Sequence, residues 1–138
     1  MFSLYLMTGL VAWLVAQGIK YLISAVKNRR SNIRQLYLSG GMPSAHSATV
    51  TALMVTVAAT EGVNSAIFGV TTLLAAIVMY DAMMVRRSSG EQGAALTALM
   101  KEQKSKVPLP RVAKGHTPTE VAVGAFLGLV VAIVVIVV

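Results

Sequence analysis

The sequence predicts an all-α membrane protein, a helical bundle with about four transmembrane helices and one further amphipathic helix. Apolar residues make up 56% of the 138 residues and charged residues only 12%, whereas about a quarter of the residues in a soluble domain are charged. The mean hydropathy is +0.72, and the run Val121–Val138 contains no charged residue. Because such runs belong in hydrocarbon, we expect residues 1–138 to form a single integral-membrane domain.

The predicted membrane helices are four apolar stretches: Leu4–Ala25, about Ala45–Thr60, Val63–Val85 and about Pro118–Val138. A helix needs about 20 apolar residues to cross the hydrocarbon core, which the first, third and fourth stretches provide. The second is shorter and would have to tilt, thin the bilayer or pack behind the others. The first stretch has no signal-peptide cleavage pattern; it carries Lys20 near its end and is followed by Lys27, so we expect this helix to be retained.

The segment between the third and fourth stretches contains a predicted amphipathic helix, from about Gly90 to Lys104. Its apolar residues cluster on one side and its charged residues lie elsewhere, so this helix can lie in the membrane interface. The Val-Pro-Leu-Pro sequence at Val107–Pro110 ends it and makes a stiff connector.

The basic residues predict the orientation of the bundle. They occupy the connection between the first two spans and the connection between the last two, and the connection around Glu61–Asn64 has none. With four spans both basic connections lie on one side, which the positive-inside rule makes cytoplasmic, and both termini lie outside. The net charge of +7 then reflects this bias and attraction to anionic membrane lipids, and we do not expect a nucleic-acid partner.

The first candidate site is the sequence Ser-Gly-Gly-Met-Pro-Ser-Ala-His-Ser at Ser39–Ser47. Glycines followed by Pro-Ser at a helix start offer free backbone N–H groups, a hydroxyl and the positive end of a helix dipole, which together suit an anion. His46 could then donate a proton to a leaving oxygen. The structural alternative is a glycine-rich loop with Ser44 as an ordinary N-cap and His46 as an interfacial residue.

The second candidate site is Gly115–Glu120. A spacing of four along a helix brings Glu120 near His116, where its carboxylate could fix the tautomer of a nucleophilic imidazole and stabilise its cation. The structural alternative is a helix start in which Thr117 is the N-cap, Pro118 the first helical residue and Glu120 the end of a Thr-x-x-Glu capping box. The carboxylate can serve in both.

Charged residues at the end of the third span are the third candidate group. Asp81 is an ionisable residue inside an apolar stretch, and such residues are usually functional; a pairing with Arg86 or Arg87, one turn away, is the structural alternative. Both arginines can hold phosphate oxygens in a bidentate way, or serve as stop-transfer charges that bind lipid headgroups.

No cofactor is expected. The chain has no cysteine, which excludes disulfides, thiolate metal sites and a cysteine nucleophile. Its five acidic residues are scattered, without the carboxylate cluster that magnesium requires. Four spans give little interior, so small residues should pack closely, and those we expect to do so are Gly69, Ala75, Ala76, Gly124 and Gly128. A homodimer would cover remaining polar surface, and the sequence leaves this open.

Three ordered motifs resemble a known family. The motifs are Gly-Gly-Met-Pro-Ser-Ala-His-Ser-Ala at 40–48, Met-Tyr-Asp-Ala-Met-Met-Val-Arg-Arg at 79–87 and Gly-His-Thr-Pro-Thr-Glu-Val at 115–121. They look like the divergent branch of the type-2 phosphatidic acid phosphatases, membrane relatives of acid phosphatases and vanadium-dependent haloperoxidases. The similarity covers almost the whole chain.

The better-known members of that superfamily carry Lys-x6-Arg-Pro, then Pro-Ser-Gly-His. Lys27 and Arg34 have the first spacing, with Gln35 in place of the proline, and Pro43–His46 matches the second motif with alanine for glycine. The family's third motif, Ser-Arg-x5-His-x3-Asp, is matched only at its end.

In the third motif His116 and Glu120 match His-x3-acid, with glutamate for aspartate. The Ser-Arg pair is missing, since Leu109 and Pro110 stand there and Arg111 comes one residue late. The role of the family's arginine therefore falls to one of three candidates, Arg86, Arg87 and Arg111.

The resemblance implies that His116 is a phosphohistidine nucleophile, that Glu120 orients it and that His46 is the general acid. The residues expected to bind the substrate are Lys27, Arg34, Ser44, Arg86, Arg87 and Asp81. The implied activity is that of a metal-independent lipid phosphate monoesterase at the cytoplasmic membrane face, with phosphatidylglycerophosphate as leading substrate and phosphatidic acid or prenyl phosphates as alternatives. Two other readings stay open: a non-catalytic binder or transporter of phospholipid or prenyl-phosphate headgroups, and a structural subunit that docks on anionic lipid.

Overall fold

The computed structural model describes residues 3–28, 41–110, 112 and 115–138, and these form an all-α bundle without strands, as predicted. Helix α1 spans Leu4–Asn28, α2 Ala45–Glu61 and α3 Ala66–Tyr80; a π-helical turn at Asp81–Val85 leads directly into α4, Arg86–Glu102, and α5 spans Pro118–Val137. Within the described residues, three helical segments are long and apolar enough to cross a membrane: Leu4–Val26, Ala66–Glu102 and Pro118–Val137.

Helix α2 is the centre of the bundle, since it packs against α1, α3 and α5. It has only 17 residues, fewer than the ~20 that a bilayer requires, so the expectation of a short second helix is confirmed. Its interior faces carry small residues: Ala48 and Ala52 are fully buried. Among the described residues, every buried hydrophobic side chain is alanine or valine, and large apolar side chains such as Leu73 and Phe126 lie outside, as suits helices packed in lipid.

Two glycines allow α5 to lie against α2 at backbone distance. A Cβ atom on Gly124 would come within 2.4 Å of the Ser44 carbonyl oxygen, and one on Gly128 within 2.3 Å of the Ala48 carbonyl oxygen. Both contacts advance by four residues, so α2 and α5 run parallel. The prediction of close packing is therefore confirmed for Gly124 and Gly128, both buried.

The same prediction is right for one α3 residue and wrong for two. Ala75 is buried, whereas Gly69 and Ala76 are exposed and a Cβ atom on Gly69 would meet no atom within 4 Å. Ala75 and Thr71, four residues apart, mark the face of α3 that meets the bundle. Residue size alone did not identify that face.

Helix α1 runs antiparallel to α2. At one end of the pair the Tyr5 hydroxyl donates to the Glu61 carboxylate, and at the other end the Lys20 side chain lies beside Gly41. Helix α2 ends at Gly62, whose φ of 84° is a conformation that favours glycine, and α3 starts directly after Ser65. The helices therefore alternate in direction, and the starts of α2 and α5 lie at the same end of the bundle as the end of α3.

The amphipathic segment is helical, as predicted, but its helix begins at Arg86 rather than Gly90 and ends at Glu102. Helix α4 starts at Arg86 and continues α3 through the π-helical turn, giving 37 helical residues from Ala66 to Glu102. The charges at Arg86 and Arg87 end the apolar run, but charge does not break a helix, and no proline lies between Tyr80 and Glu102. Since Glu102 ends α4, Pro108 and Pro110 follow the helix rather than terminate it.

Candidate functional site

The start of α5 holds His116 and Glu120 in contact. His116 Nδ1 lies 3.1 Å from Glu120 Oε2, and the imidazole is only 4% exposed. The same carboxylate oxygen accepts the Thr117 N–H at 3.1 Å, while the Thr117 hydroxyl oxygen accepts the Glu120 N–H at 3.3 Å. Glu120 therefore closes the capping box and also contacts His116. Both contacts that the sequence predicts for this carboxylate are present. With Nδ1 held by the carboxylate, Nε2 is the ring nitrogen left for chemistry.

The backbone of His116 is fixed against the end of α3. Its N–H donates to the Ala82 carbonyl oxygen over 2.9 Å, and Ala82 is buried. The preceding residue, Gly115, lies so close to Arg87 that a Cβ atom would come within 2.5 Å of the Arg87 nitrogen. His116 is thus bound to the π-helical turn, and Gly115 lies against the first residues of α4.

The start of α2 lies beside the start of α5. The Ser44 N–H donates to the Glu120 carbonyl oxygen over 3.1 Å, which joins the two helix starts. Ser44 is fully buried, and its hydroxyl oxygen accepts the Ser47 N–H at 3.4 Å and lies 2.9 Å from the Ser47 hydroxyl oxygen. Ser44 is therefore the N-cap of α2, two residues before His46 in the sequence.

His46 is the second residue of α2 and is exposed. Its imidazole makes no side-chain hydrogen bond within the part of the chain that the structure describes. Four charged or titratable groups are close enough to act on its charge: Arg86, His116, Lys20 and Asp81. The two histidines are thus close enough for charge interaction, although 70 positions separate them in the sequence (116 minus 46).

Asp81 and Arg86 form an ion pair across the π-helical turn. Arg86 Nε lies 2.7 Å from Asp81 Oδ2, and both side chains are partly exposed. The structural pairing considered for Asp81 is therefore present, and both residues are close enough to His46 for charge interaction.

Arg87 has a different partner and position. Its Nε lies 3.1 Å from Glu91 Oε1, and both side chains are largely exposed. Together they line an open cleft of about 350 Å³ whose wall also includes Ala94, His116 and Thr117. The two adjacent arginines therefore have different surroundings. Arg86 is paired with Asp81, and Arg87 lies in the wall of the cleft with His116.

Lys20 belongs to this site, and the sequence interpretation missed it. It lies in α1, its side chain contacts Gly41, and it is close enough to both Glu120 and His46 for charge interaction. A signal was present, since a lysine sixteen residues into an apolar helix (20 minus 4) is expensive in a membrane and usually functional. The family spacing drew attention to Lys27 instead.

The expected phosphate ligands Arg34 and Arg111 lie outside the described residues, as does the side chain of Lys27, whose backbone is in the last turns of α1. Of the predicted site residues that are described, the structure brings together Ser44, His46, Asp81, Arg86, His116 and Glu120, with Arg87 at the adjoining cleft.

Comparison with known proteins identifies the family. A model described as the divergent PAP2 family matches residues 2–131. A Bacillus subtilis (strain 168) protein named "Uncharacterized membrane protein YuiD" is 34% identical over 144 aligned positions, which cover 94% of this chain and 91% of that protein. No solved structure matches. The family match spans nearly the whole of a helical bundle with membrane-length helices, and on that ground the chain is a member of the divergent PAP2 family.

Proposed function

We propose that the protein is a metal-independent lipid phosphate monoesterase that works through a phosphohistidine at His116. The observation that carries the proposal is the geometry of that residue. Glu120 holds Nδ1 at 3.1 Å, which leaves Nε2 as the nucleophile. A second histidine and two cations, Lys20 and Arg86, lie on the same site.

In the first step His116 Nε2 attacks phosphorus in line with the ester bond. The phosphorus–nitrogen bond forms as the phosphorus–oxygen ester bond breaks, and protonated His46 donates its proton to the leaving lipid oxygen. The carboxylate of Glu120 accepts the hydrogen bond from Nδ1–H and stabilises the positive charge that develops on the ring of His116.

In the second step water attacks the phosphohistidine. His46, now neutral, takes a proton from the water, the phosphorus–nitrogen bond breaks and inorganic phosphate leaves. In both transition states negative charge spreads over the equatorial oxygens, so positively charged groups fixed at the site supply most of the stabilisation. Arg86 and Lys20 are placed for this role, and Arg86 is our choice for the arginine that the third family motif lacks.

Four of the five acidic residues already have partners. Asp81 binds Arg86, Glu91 binds Arg87, Glu120 binds His116 and Thr117, and Glu61 accepts from Tyr5. Carboxylates occupied in this way are poorly suited to the oxygen-rich coordination of magnesium, which supports a reaction carried by histidines and cations.

The substrate we propose is phosphatidylglycerophosphate, on the family resemblance and on the side of the membrane. The positive-inside rule places the basic connections, and with them the site, on the cytoplasmic face, with both termini outside. All described site residues lie at one end of the bundle, as a single headgroup site requires. The acyl chains would stay in the bilayer beside the exposed apolar faces of the helices while the terminal phosphate enters the site.

A phosphate-release assay on the purified protein tests the function. Phosphatidylglycerophosphate, phosphatidic acid and a prenyl phosphate are compared in mixed micelles with EDTA present, beside the His116→Ala variant. We expect EDTA-resistant release, fastest from phosphatidylglycerophosphate, and none from the variant, which should still insert into the membrane. Turnover by His116→Ala, or headgroup binding without turnover by the wild type, would contradict the proposal; the second result would indicate a binder or transporter.

A further inference from the structure

We propose that the π-helical turn Asp81–Val85 is a positioning element that fixes the backbone of His116 for nucleophilic attack. This inference concerns how His116 is placed, and its role in catalysis rests on the proposed function. π-Helical turns in helices are uncommon and frequently lie at functional sites. Here the turn occurs where the third membrane helix meets the candidate site.

The first step in the argument is a carbonyl oxygen that the turn releases. In an α-helix the Ala82 carbonyl oxygen would accept the N–H of Arg86, four residues on. In this chain the Arg86 N–H donates to the Asp81 carbonyl oxygen instead. The Ala82 carbonyl oxygen is thereby available, and it accepts the His116 N–H at 2.9 Å.

The second step is the close backbone approach beside that hydrogen bond. Gly115 lies against Arg87 so tightly that a Cβ atom would come within 2.5 Å of the Arg87 nitrogen and 2.6 Å of its Cα atom. The obstacle is backbone, which cannot turn aside as a side chain can. Only glycine fits here. Gly115, the residue before the proposed nucleophile, is therefore held against the start of α4.

The third step is the side-chain pair that spans the same turn. Asp81 and Arg86 are five residues apart, the spacing of one π-helical turn, and their side chains are joined at 2.7 Å. The insertion of one residue thus sets three features together. They are the Ala82 carbonyl that binds His116, the backbone surface that receives Gly115, and the Asp81–Arg86 ion pair.

The test uses Gly115→Ala with Gly69→Ala as the matched control, because a Cβ atom on Gly69 meets nothing within 4 Å. The chain has two histidines, so ¹⁵N-histidine labelling gives two imidazole spin systems, assigned with His46→Gln. We expect Gly115→Ala to shift the ring signals of His116 more than those of His46, and Gly69→Ala to shift neither. Phosphate release by Gly115→Ala should fall about 10²-fold in kcat, with little change in KM, since a misplacement of 1 Å has that effect.

Deletion of Met84 supplies a second variant in case Gly115→Ala does not fold, which far-UV circular dichroism and thermal unfolding in detergent would reveal. Met84 is exposed and removing it returns the turn to α-helical spacing, so the Ala82 carbonyl is taken up by the helix again. Deletion of Lys101, near the exposed end of α4, is its control. We expect the first deletion to shift the His116 signals and the second to leave them unchanged.

Wild-type His116 signals and wild-type kcat in a folded Gly115→Ala protein, or unchanged His116 signals after deletion of Met84, would overturn the positioning role. If the wild-type protein releases no phosphate from any lipid tested, the proposed function fails, and the histidine signals still decide whether the π-helical turn places His116.

Discussion

The two helix starts that carry the histidines differ in how firmly they hold them. At the start of α5, His116 is buried, its Nδ1 is bound to Glu120 and its N–H is bound to Ala82. At the start of α2, His46 is exposed and its imidazole makes no hydrogen bond to the described part of the chain, although Ser44, two residues earlier, is completely buried. A nucleophile must be held within a narrow range of positions, whereas His46 in the proposed mechanism must reach first the leaving lipid oxygen and then the attacking water. The difference in restraint thus matches the two proposed roles.

The largest effect on turnover short of removing His116 is expected from His46→Ala. Loss of a general acid and base typically slows a reaction by about 10²–10⁴-fold. With 4-nitrophenyl phosphate, whose phenolate leaves without a proton, the first step should be spared and the second slowed. Rapid-mixing measurements should then show a burst of nitrophenolate that is stoichiometric with the enzyme, followed by slow turnover.

Equal loss of the burst and of steady turnover in His46→Ala would mean that His46 does not act by proton transfer. His46→Gln is the matched variant, since its amide keeps polarity and approximate size but cannot carry the proton.

Glu120→Gln should have the next largest effect. The amide oxygen can still accept a hydrogen bond from His116, but the negative charge that stabilises the imidazolium is gone, so kcat should fall by about 10²–10³-fold. Thr117→Ala separates catalysis from helix capping, because it removes the N-cap hydroxyl and keeps the carboxylate. We expect it to lower the free energy of unfolding by about 1 kcal/mol with little change in kcat.

Thermal unfolding in detergent and phosphate release, measured on both variants, distinguish these effects. If Thr117→Ala loses as much activity as Glu120→Gln, the carboxylate serves the fold of the helix start and not the charge on His116.

The smallest effects are expected at the two adjacent arginines, Arg86 and Arg87, and the difference between them tests where the phosphate binds. Arg86 is close enough to His46 for charge interaction and in the proposed mechanism stabilises the transition state, so Arg86→Ala should reduce kcat/KM by about 10²-fold. Arg87 is paired with Glu91 on an exposed surface, where an ion pair contributes about 0–1 kcal/mol. Arg87→Ala should therefore change kcat/KM less than about fivefold. A reversed order in steady-state kinetics would place the phosphate in the cleft rather than beside His46.

Local patterns predicted much of the site. The capping box at Thr117–Glu120 and the N-cap at Ser44 follow from short-range sequence rules, and the His116–Glu120 contact follows from their spacing of four. The bundle itself follows from apolar runs and small residues. The two caps and the His116–Glu120 contact join residues three or four positions apart, so they can be predicted from the sequence of one segment.

Long-range packing explains what the sequence did not reveal. Lys20 enters the site because α1 runs antiparallel to α2 and brings it to Gly41, a pairing that no spacing motif records. The π-helical turn cannot be predicted from the apolar run Met83–Val85. One inserted residue changes the direction of the side chains that follow, but the run stays equally hydrophobic. Gly69 and Gly124 look alike in sequence, and only the packing of α3 and α5 tells them apart.

The most direct measurement of the central claim is trapping of the phosphoenzyme. The purified protein is mixed with phosphatidylglycerophosphate labelled with ³²P in the terminal phosphate and quenched in alkali within one turnover. We predict label on the protein that is stable to alkali, released by acid and located by peptide mapping at His116, and no label in His116→Ala. Turnover without any protein-bound label in rapid-quench samples, or label that persists in His116→Ala, would contradict a phosphohistidine mechanism at this residue.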